Sequence, residues 1–263
     1  MSGNQPIGVF DSGLGGLSVL KEVRYRLPEE NLIYIADSAH CPYGEKTLEY
    51  IQERSVRVTE ALIGMGAKLV IIACNTATGA AVDMLRERYD LPIVALEPAV
   101  KPAAASSMSG RIAVLATPAT LKTERFNRLV DNHGAGVEVI KIPCPGFVEL
   151  VEAGELTGER ALSEVREVLE PLTDAHVDRI VLGCTHYPFL RDAVAEVVGE
   201  GVEILDSGAA VARQVERVLM DSSSRALEGR GSLKLLTTGE AEAVRPIAER
   251  LWGSPLEIGE IDA

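Results

Sequence analysis

Short runs of β-branched and aliphatic residues alternate with amphipathic stretches along almost the whole chain. Residues 69–73 are apolar at every position, which is typical of a strand that is buried on both faces. Residues 76–89 then have the spacing of an amphipathic helix, and residues 93–96 have the composition of a further strand. Because parallel strands need a crossover connection, this alternation predicts parallel sheets that are covered by helices.

The same pattern sets the expected elements along the chain. It predicts strands over 7–10, 32–36, 69–73, 93–96, 112–115, 137–140, 180–182, 202–205 and 233–236. It predicts helices over 17–27, 47–65, 76–89, 120–132, 158–172, 189–198, 209–220 and 240–251.

The pattern restarts near the middle of the chain. Residues 7–12 line up with 112–117, and residues 68–76 line up with 178–186. Each copy of the second pair carries one cysteine where an apolar run ends. We therefore predict two pseudo-symmetric α/β halves with parallel sheets and an active site in the cleft between them.

The domain boundaries are expected where the chain crosses between the halves. Residues 1–97 plus 208–263 are predicted to form the first domain, and residues 98–207 the second. Pro98 and Gly208 stand at the two crossings and are suitable hinge positions.

Composition excludes several classes of partner. The chain of 263 residues has a net charge of −13, which disfavours binding to nucleic acids, and only 4 % of its residues are aromatic. No run approaches about 18 apolar residues, so no membrane span is expected. The first residues lack the charged flank and apolar core of a signal peptide, which favours a cytoplasmic protein.

The four cysteines are too few for a disulfide framework and have no zinc-ribbon spacing, so no metal is expected.

Polar side chains cluster where the predicted buried strands end. In parallel sheets, ligands bind at the carboxyl ends of the strands. The residues that follow these strands are Asp11, Ser12, Cys74, Asn75, Thr76, Cys184, Thr185 and His186. Two similar halves that face each other would place Cys74 and Cys184 on opposite sides of one cleft. Cys41 and Cys144, which lie beside prolines in loops, are interpreted as structural.

Two opposed thiols suit the inversion of a stereocentre without a cofactor. Inversion needs a base on one face and an acid on the other, and a cysteine pKa near 8.5 allows a thiolate and a thiol to coexist. Helices that begin after Thr76 and after Pro188 would favour the thiolates. No lysine stands in a strand-end motif, so pyridoxal phosphate is not expected either.

Four motifs carry a resemblance to a known family. Asp-Ser-Gly-Leu-Gly-Gly at 11–16, Pro-Tyr-Gly at 42–44, Ala-Cys-Asn-Thr-Ala at 73–77 and Gly-Cys-Thr-His-Tyr-Pro at 183–188 together resemble the cofactor-independent aspartate/glutamate racemase family. The resemblance extends over nearly the whole chain, with the motifs in the family's order. It implies that the small-molecule substrate is glutamate and that the enzyme interconverts its L and D forms. It also implies that the D-glutamate supplies peptidoglycan synthesis and that the protein is a homodimer.

The same resemblance assigns roles to individual residues. It implies that Cys74 and Cys184 are the acid/base pair and that Asp11, His186 and Glu152 assist them. Asp11 could hold the substrate ammonium or take a proton from Cys74, and His186 could exchange protons with Cys184. The residues implied to contact substrate are Asp11, Ser12, Tyr43, Gly44, Asn75, Thr76, Thr185 and His186.

Three other readings stay open at this stage. Gly13, Gly15 and Ser18, with Asp37 after the next strand, imitate a dinucleotide fingerprint, although its last glycine is missing. Racemisation of aspartate, or another thiol-dependent reaction of a carboxylate, is a second reading. A two-domain solute-binding protein that closes on a dicarboxylate is a third, but it would leave two opposed thiols without a purpose.

Overall fold

The computed structural model describes residues 4–134 and 136–263. Its strands are β1 Ile7–Asp11, β2 Leu32–Ala36, β3 Leu69–Ile72, β4 Ile93–Ala95, β5 Arg111–Ala116, β6 Glu138–Pro143, β7 Arg179–Leu182, β8 Glu203–Leu205, β9 Leu233–Thr237 and β10 Ile258–Glu260. Its helices are α1 Leu17–Arg26, α2 Leu48–Gly64, α3 Asn75–Arg88, α4 Val100–Ser106, α5 Pro118–Lys122, α6 Glu124–His133, α7 Phe147–Glu152, α8 Glu159–Leu169, α9 Arg191–Val198, α10 Gly208–Asp221 and α11 Ala241–Trp252. No helix in the described part of the chain is both long and apolar enough to cross a membrane.

Two parallel sheets organise these elements. Sheet A has the order β10-β9-β2-β1-β3-β4, and sheet B has the order β6-β5-β7-β8. Every strand pair in both sheets is parallel. The expected two-sheet α/β architecture is therefore confirmed. The exact domain boundaries, which begin with the undescribed residues 1–3, stay a prediction.

The strand interiors explain why the sheets form. All four residues of β3 are fully buried, and β1 and β2 are likewise buried along their whole length. β1 and β3 pair in sheet A as β5 and β7 do in sheet B, and a Cys follows the third strand of each set. One continuous hydrophobic cluster contains residues of both sheets, including Val9 and Leu115. The two halves therefore share a core near the site instead of being joined only by linkers.

Several helix boundaries differ from the expected ones for local reasons. The helix expected over 120–132 is split into α5 and α6, because Thr123 is extended and its hydroxyl accepts the N–H of Phe126 as an N-cap. The helix expected over 158–172 ends as a 3-10 turn at Glu170–Leu172, which contains Pro171. The helix expected over 189–198 begins with a 3-10 turn at Tyr187–Leu190. The short elements α4, α7 and β10 were not predicted.

Candidate active site

The strand-end residues of the two sheets lie together in the interior. Asp11 ends β1, Cys74 follows β3 and Cys184 follows β7 by two residues. All three are buried, with Asp11 fully so and the two cysteines 5 % and 8 % exposed. The hydroxyl of Thr185, from the sheet B half, donates to Asp11 Oδ1 at 3.0 Å. The two halves are thus in direct polar contact at these strand ends.

Cys74 occupies the N-cap position of α3. Its Sγ accepts the backbone N–H of Ala77 at 3.4 Å, and its thiol donates to Ser12 Oγ at 3.7 Å. Burial, followed by the negative charge of Asp11, raises the pKa of Cys74 to about 12, although the Ala77 N–H acts in the opposite direction. The expected helix N-terminus is present at this sulfur, but it does not outweigh burial. The surroundings of Cys74 therefore favour the neutral thiol over the thiolate.

Cys184 has a different neighbour. Its Sγ lies 3.7 Å from Nδ1 of His186, and Nε2 of His186 lies 2.7 Å from Oε1 of Glu152. The prediction of an α-helix N-terminus beside Cys184 is wrong, because a 3-10 turn follows His186 and α9 begins only at Arg191. Instead of a helix N-terminus, Cys184 has beside it the imidazole of His186, which is paired with the Glu152 carboxylate.

The environment of His186 favours its charged form. Burial by itself would lower the pKa of His186, but hydrogen bonds with Cys184, Cys41 and Glu152 raise it well above its usual value. Glu152 is fixed in turn by the backbone N–H of Leu14, which donates to Oε1 at 2.6 Å. Glu152, whose side chain is 23 % exposed, is therefore part of a hydrogen-bond network across the two halves and not a freely solvated charge on α7.

The glycine-rich loop after β1 allows this approach. A Cβ at Gly13 would overlap the Glu152 carboxylate, and a Cβ at Gly15 would overlap the His186 ring. These glycines thus admit side chains of the sheet B half to within contact of the loop. This close packing explains the glycines that imitate a dinucleotide fingerprint, so no bound dinucleotide is needed to account for them.

Asp11 is held as firmly as the cysteines. Its Oδ2 accepts the N–H of Gly13 at 3.1 Å, in addition to the Thr185 bond. Burial raises the pKa of Asp11, while the nearby His186 has the opposite effect. A carboxylate in this position can accept a proton or a cationic group.

The remaining residues that were predicted to contact substrate lie at the start of α3, directly after Cys74, or in the loop after β2. Tyr43 is buried, and its hydroxyl donates to Asp37 Oδ2 at 2.5 Å. Gly44 faces Thr117 of the sheet B half. The side-chain nitrogen and oxygen of Asn75 are buried and have no hydrogen-bond partner among the residues that the structure describes. Thr76 Oγ1 lies 3.2 Å from the hydroxyls of both Thr117 and Thr120.

Three members of the site were missed by sequence reasoning. Thr117 and Thr120 contact Thr76, and Thr117 is the residue that aligns with Ser12 in the internal repeat, so the repeat held the signal. Cys41 was interpreted as structural, yet it hydrogen-bonds with His186, and burial raises its pKa to about 11. Only the tertiary fold reveals Cys41. The Cys144 thiol donates to the Ile142 carbonyl at 3.4 Å, and burial, followed by the charge of Cys184, raises its pKa.

The expectation that the chain holds no cluster of metal-ligating residues needs correction. Among the described residues, Cys41, Glu152 and His186 each offer a ligand atom, and these atoms lie within 4.8 Å of one another. The residues are remote in sequence, which is why their spacing gave no such signal.

The sequence and the fold of this chain are both similar to those of known racemases. A sequence model of the Asp/Glu/Hydantoin racemase family matches residues 8–215. The chain is 50 % identical to a glutamate racemase of Pseudomonas paraeruginosa over 261 residues, which cover 98 % of this chain and 97 % of that protein. A glutamate racemase isoform of Bacillus anthracis superimposes with a TM-score of 0.91 at 30 % identity, covering 98 % and 97 % of the two chains. The Escherichia coli glutamate racemase, solved with L-glutamate and the activator UDP-MurNAc-Ala, gives a TM-score of 0.86 at 33 % identity, with 97 % of each chain covered.

Proposed function

Because this chain belongs to the Asp/Glu/Hydantoin racemase family, we propose that it interconverts L- and D-glutamate with two cysteines and no cofactor. The observation that carries the proposal is the pair Cys74 and Cys184. Each follows the corresponding strand of its own sheet and both are buried; after burial and the charge of Asp11, a charge on Cys184 also raises the pKa of Cys74. Two thiols that are coupled in this way suit proton removal on one face and proton delivery on the other.

The direction of proton flow follows from the role proposed for each sulfur. From L- to D-glutamate, the Cys184 thiolate removes the α-proton and the Cys74 thiol protonates the opposite face; the reverse reaction exchanges the two roles. The pairing of Cys184 with His186 and the neutral state of Cys74 support this assignment.

Proton transfer alone is not sufficient, because the α-proton of an amino acid is far less acidic than a thiol. The site must also stabilise carbanion character with fixed donors and charges. Asp11 is proposed to hold the substrate ammonium. The unpaired amide of Asn75 supports a role in binding a substrate carboxylate, since buried amides otherwise have partners. Ser12, Thr76 and Thr185 supply hydroxyls, and Tyr43-Gly44 forms the adjoining wall.

We extend the proposal to the setting of the reaction. The product D-glutamate would serve peptidoglycan synthesis, the enzyme would act in the cytoplasm, and two chains would form a homodimer. These points come from the family and not from the geometry.

The direct test is the optical activity of glutamate. Purified protein that has been dialysed against a chelator and treated with borohydride should bring L-glutamate to the racemic mixture, followed by circular dichroism, without added cofactor. L-Aspartate is the matched control substrate and should keep most of its signal over the same time. A stable L-glutamate signal, or loss of turnover after either treatment, would contradict the proposal.

A further inference from the structure

Cys41, Glu152 and His186 converge from three separate parts of the chain. Cys41 comes from the loop after β2 in the sheet A half, Glu152 from the end of α7, and His186 from the loop after β7 in the sheet B half. Their ligand atoms lie within 4.8 Å of one another, and His186 is 2 % exposed. The cluster therefore joins the two halves at the side of the cleft.

The donor set has a definite chemical preference. A thiolate sulfur, an imidazole nitrogen and a carboxylate oxygen are the ligands that Zn²⁺ takes in proteins, commonly three from the protein and one from water. A thiolate and a carboxylate would neutralise the two positive charges of the ion. Hard ions such as Mg²⁺ and Ca²⁺ prefer all-oxygen sites and would not select this set.

The groups around the cluster also suit a metal site. Ligating histidines and carboxylates are usually oriented by further hydrogen bonds. Glu152 Oε1 accepts the Leu14 N–H at 2.6 Å, and Nδ1 of His186 faces the Thr185 hydroxyl at 3.4 Å. This leaves Nε2, the nitrogen on the Glu152 side, for an ion that would replace the His186–Glu152 hydrogen bond.

We propose that Cys41, Glu152 and His186 form a binding site for Zn²⁺ or a similar thiophilic divalent cation, and that its occupation inhibits the enzyme. On binding, the Cys41 sulfur forms a bond to the metal and its thiol proton passes to the solvent. The ion takes His186 and Glu152 away from Cys184. It also ties the sheet A half to the sheet B half and so hinders exchange of substrate. The inhibitory part rests on the proposed racemase function, whereas metal binding does not.

Cobalt(II) is the probe for binding, because a Co²⁺–thiolate bond gives a charge-transfer absorption that does not depend on turnover. The full-length, reduced and metal-free protein should bind one Co²⁺ per chain with this band, and Zn²⁺ should displace it. Cys41→Ser should abolish the band and weaken Zn²⁺ binding at least about ten-fold. Cys144→Ser is the matched control, since it removes a buried thiol outside the cluster, and it should keep the band. Glu152→Gln should weaken binding while the band remains.

Inhibition is measured separately, with each variant compared with its own metal-free rate. Zn²⁺ should slow racemisation by the parent and by Cys144→Ser, and at least about ten-fold more Zn²⁺ should be needed for Cys41→Ser. A cobalt band that persists in Cys41→Ser, or no binding by the parent, would overturn the site. Binding at Cys41 without any loss of turnover would overturn the inhibitory role. An intact band in a protein that never racemises glutamate would instead contradict the proposed function.

Discussion

Cys74 and Cys184 differ in what surrounds each sulfur. The sulfur of Cys74 accepts a backbone N–H and faces Ser12, whereas the sulfur of Cys184 faces an imidazole that is paired with Glu152. Burial would lower the pKa of His186, but its hydrogen bonds with Cys184, Cys41 and Glu152 raise it, whereas burial followed by the charge of Asp11 raises the pKa of Cys74. The two faces of the site are thus chemically distinct although the halves are similar.

Replacement of either cysteine should separate the two faces. Cys74→Ser and Cys184→Ser should each reduce racemisation by roughly 10²–10⁴-fold, because serine cannot exchange the proton at neutral pH. In deuterated water, Cys74→Ser should still exchange the α-proton of L-glutamate only, and Cys184→Ser that of D-glutamate only, as followed by NMR. If both variants act on the same enantiomer, or racemise within a few-fold of the parent, the two-base assignment is wrong.

Glu152 should act through His186 and not on substrate. Glu152→Gln keeps an oxygen for the Leu14 N–H but removes the charge that holds His186, so kcat should fall about 10- to 100-fold with little change in KM. Glu149→Gln removes the same charge from an exposed position on α7 and serves as control. Equal losses in both variants, or a matching loss of thermal stability, would show that the effect is only structural.

At the scale of elements, a buried ion pair fixes the loop that carries Tyr43. Arg54 of α2 donates to both oxygens of Asp37, at 3.0 Å and 2.8 Å, and Asp37 also accepts the Tyr43 hydroxyl. The side chains of the pair are 6 % and 0 % exposed. The loop after β2 is thereby tied to α2 and to the end of sheet A.

Loss of one partner should be costly here. Arg54→Met leaves Asp37 charged and buried, so the free energy of unfolding should fall by about 3–5 kcal/mol, measured by urea denaturation. Arg57→Met breaks the exposed Arg57–Glu53 pair on the same helix and should change it by less than about 1 kcal/mol. Similar values for the two variants would mean that Asp37 is not held by Arg54.

Asp178 gives the fold a pH dependence far from the site. Burial alone would raise the pKa of Asp178, but hydrogen bonds from Ser107, Met108 and Ser109 lower it well below the usual 3.8. Arg179 lies 3.5 Å from the same carboxylate. A lowered pKa means that the stabilisation is complete above the usual value and is lost as the pH falls below it.

The effect of Asp178→Asn on the free energy of unfolding should therefore depend on pH. At pH 7 it should destabilise the protein by about 1–2 kcal/mol, because one acceptor oxygen and the charge are lost. The difference from the parent should shrink as the pH falls below about 4. Asp174→Asn, at an exposed position four residues before Asp178, is the control and should show neither effect. A difference that is constant with pH would contradict this account.

Local patterns predicted the long elements well and the short ones poorly. β3 and α3 were evident, because a continuous apolar run predicts a buried strand and the amphipathic spacing of a 14-residue segment predicts a helix. α7 has six residues, too few for such a signal, and so Glu152 resembled a solvated charge. Cys41 was missed because its proximity to His186 depends on tertiary packing between residues that are far apart in sequence.

At the scale of the whole molecule, the repeat predicted two sheets with one shared site, and the strand orders agree with it. In the described part of the chain, sheet A has six strands and sheet B four, so the repeat is incomplete. The two added strands, β9 and β10, come from the last part of the chain, after it has left sheet B. Their place on the β2 edge could not be read from the repeat, because no copy of them exists in the other half.

The proposed homodimer gives a prediction at this scale. Light scattering coupled to gel filtration should give a mass near twice the chain mass of 28.1 kDa at micromolar protein concentration. Added glutamate should leave that mass unchanged, because the site is built from residues of one chain. A monomer mass under both conditions would contradict the dimer.

The placement of β9 and β10 also orders events during synthesis. A nascent chain leaves the ribosome from its N-terminus, and domains fold as units while they emerge. All four strands of sheet B have emerged once Leu205 is out, whereas sheet A is completed only when Glu260 follows. Until β9 has emerged, the edge of β2 is open and can pair with a strand of another chain. The half that begins first is therefore finished last, and its unfinished edge is where polysomal aggregation should start.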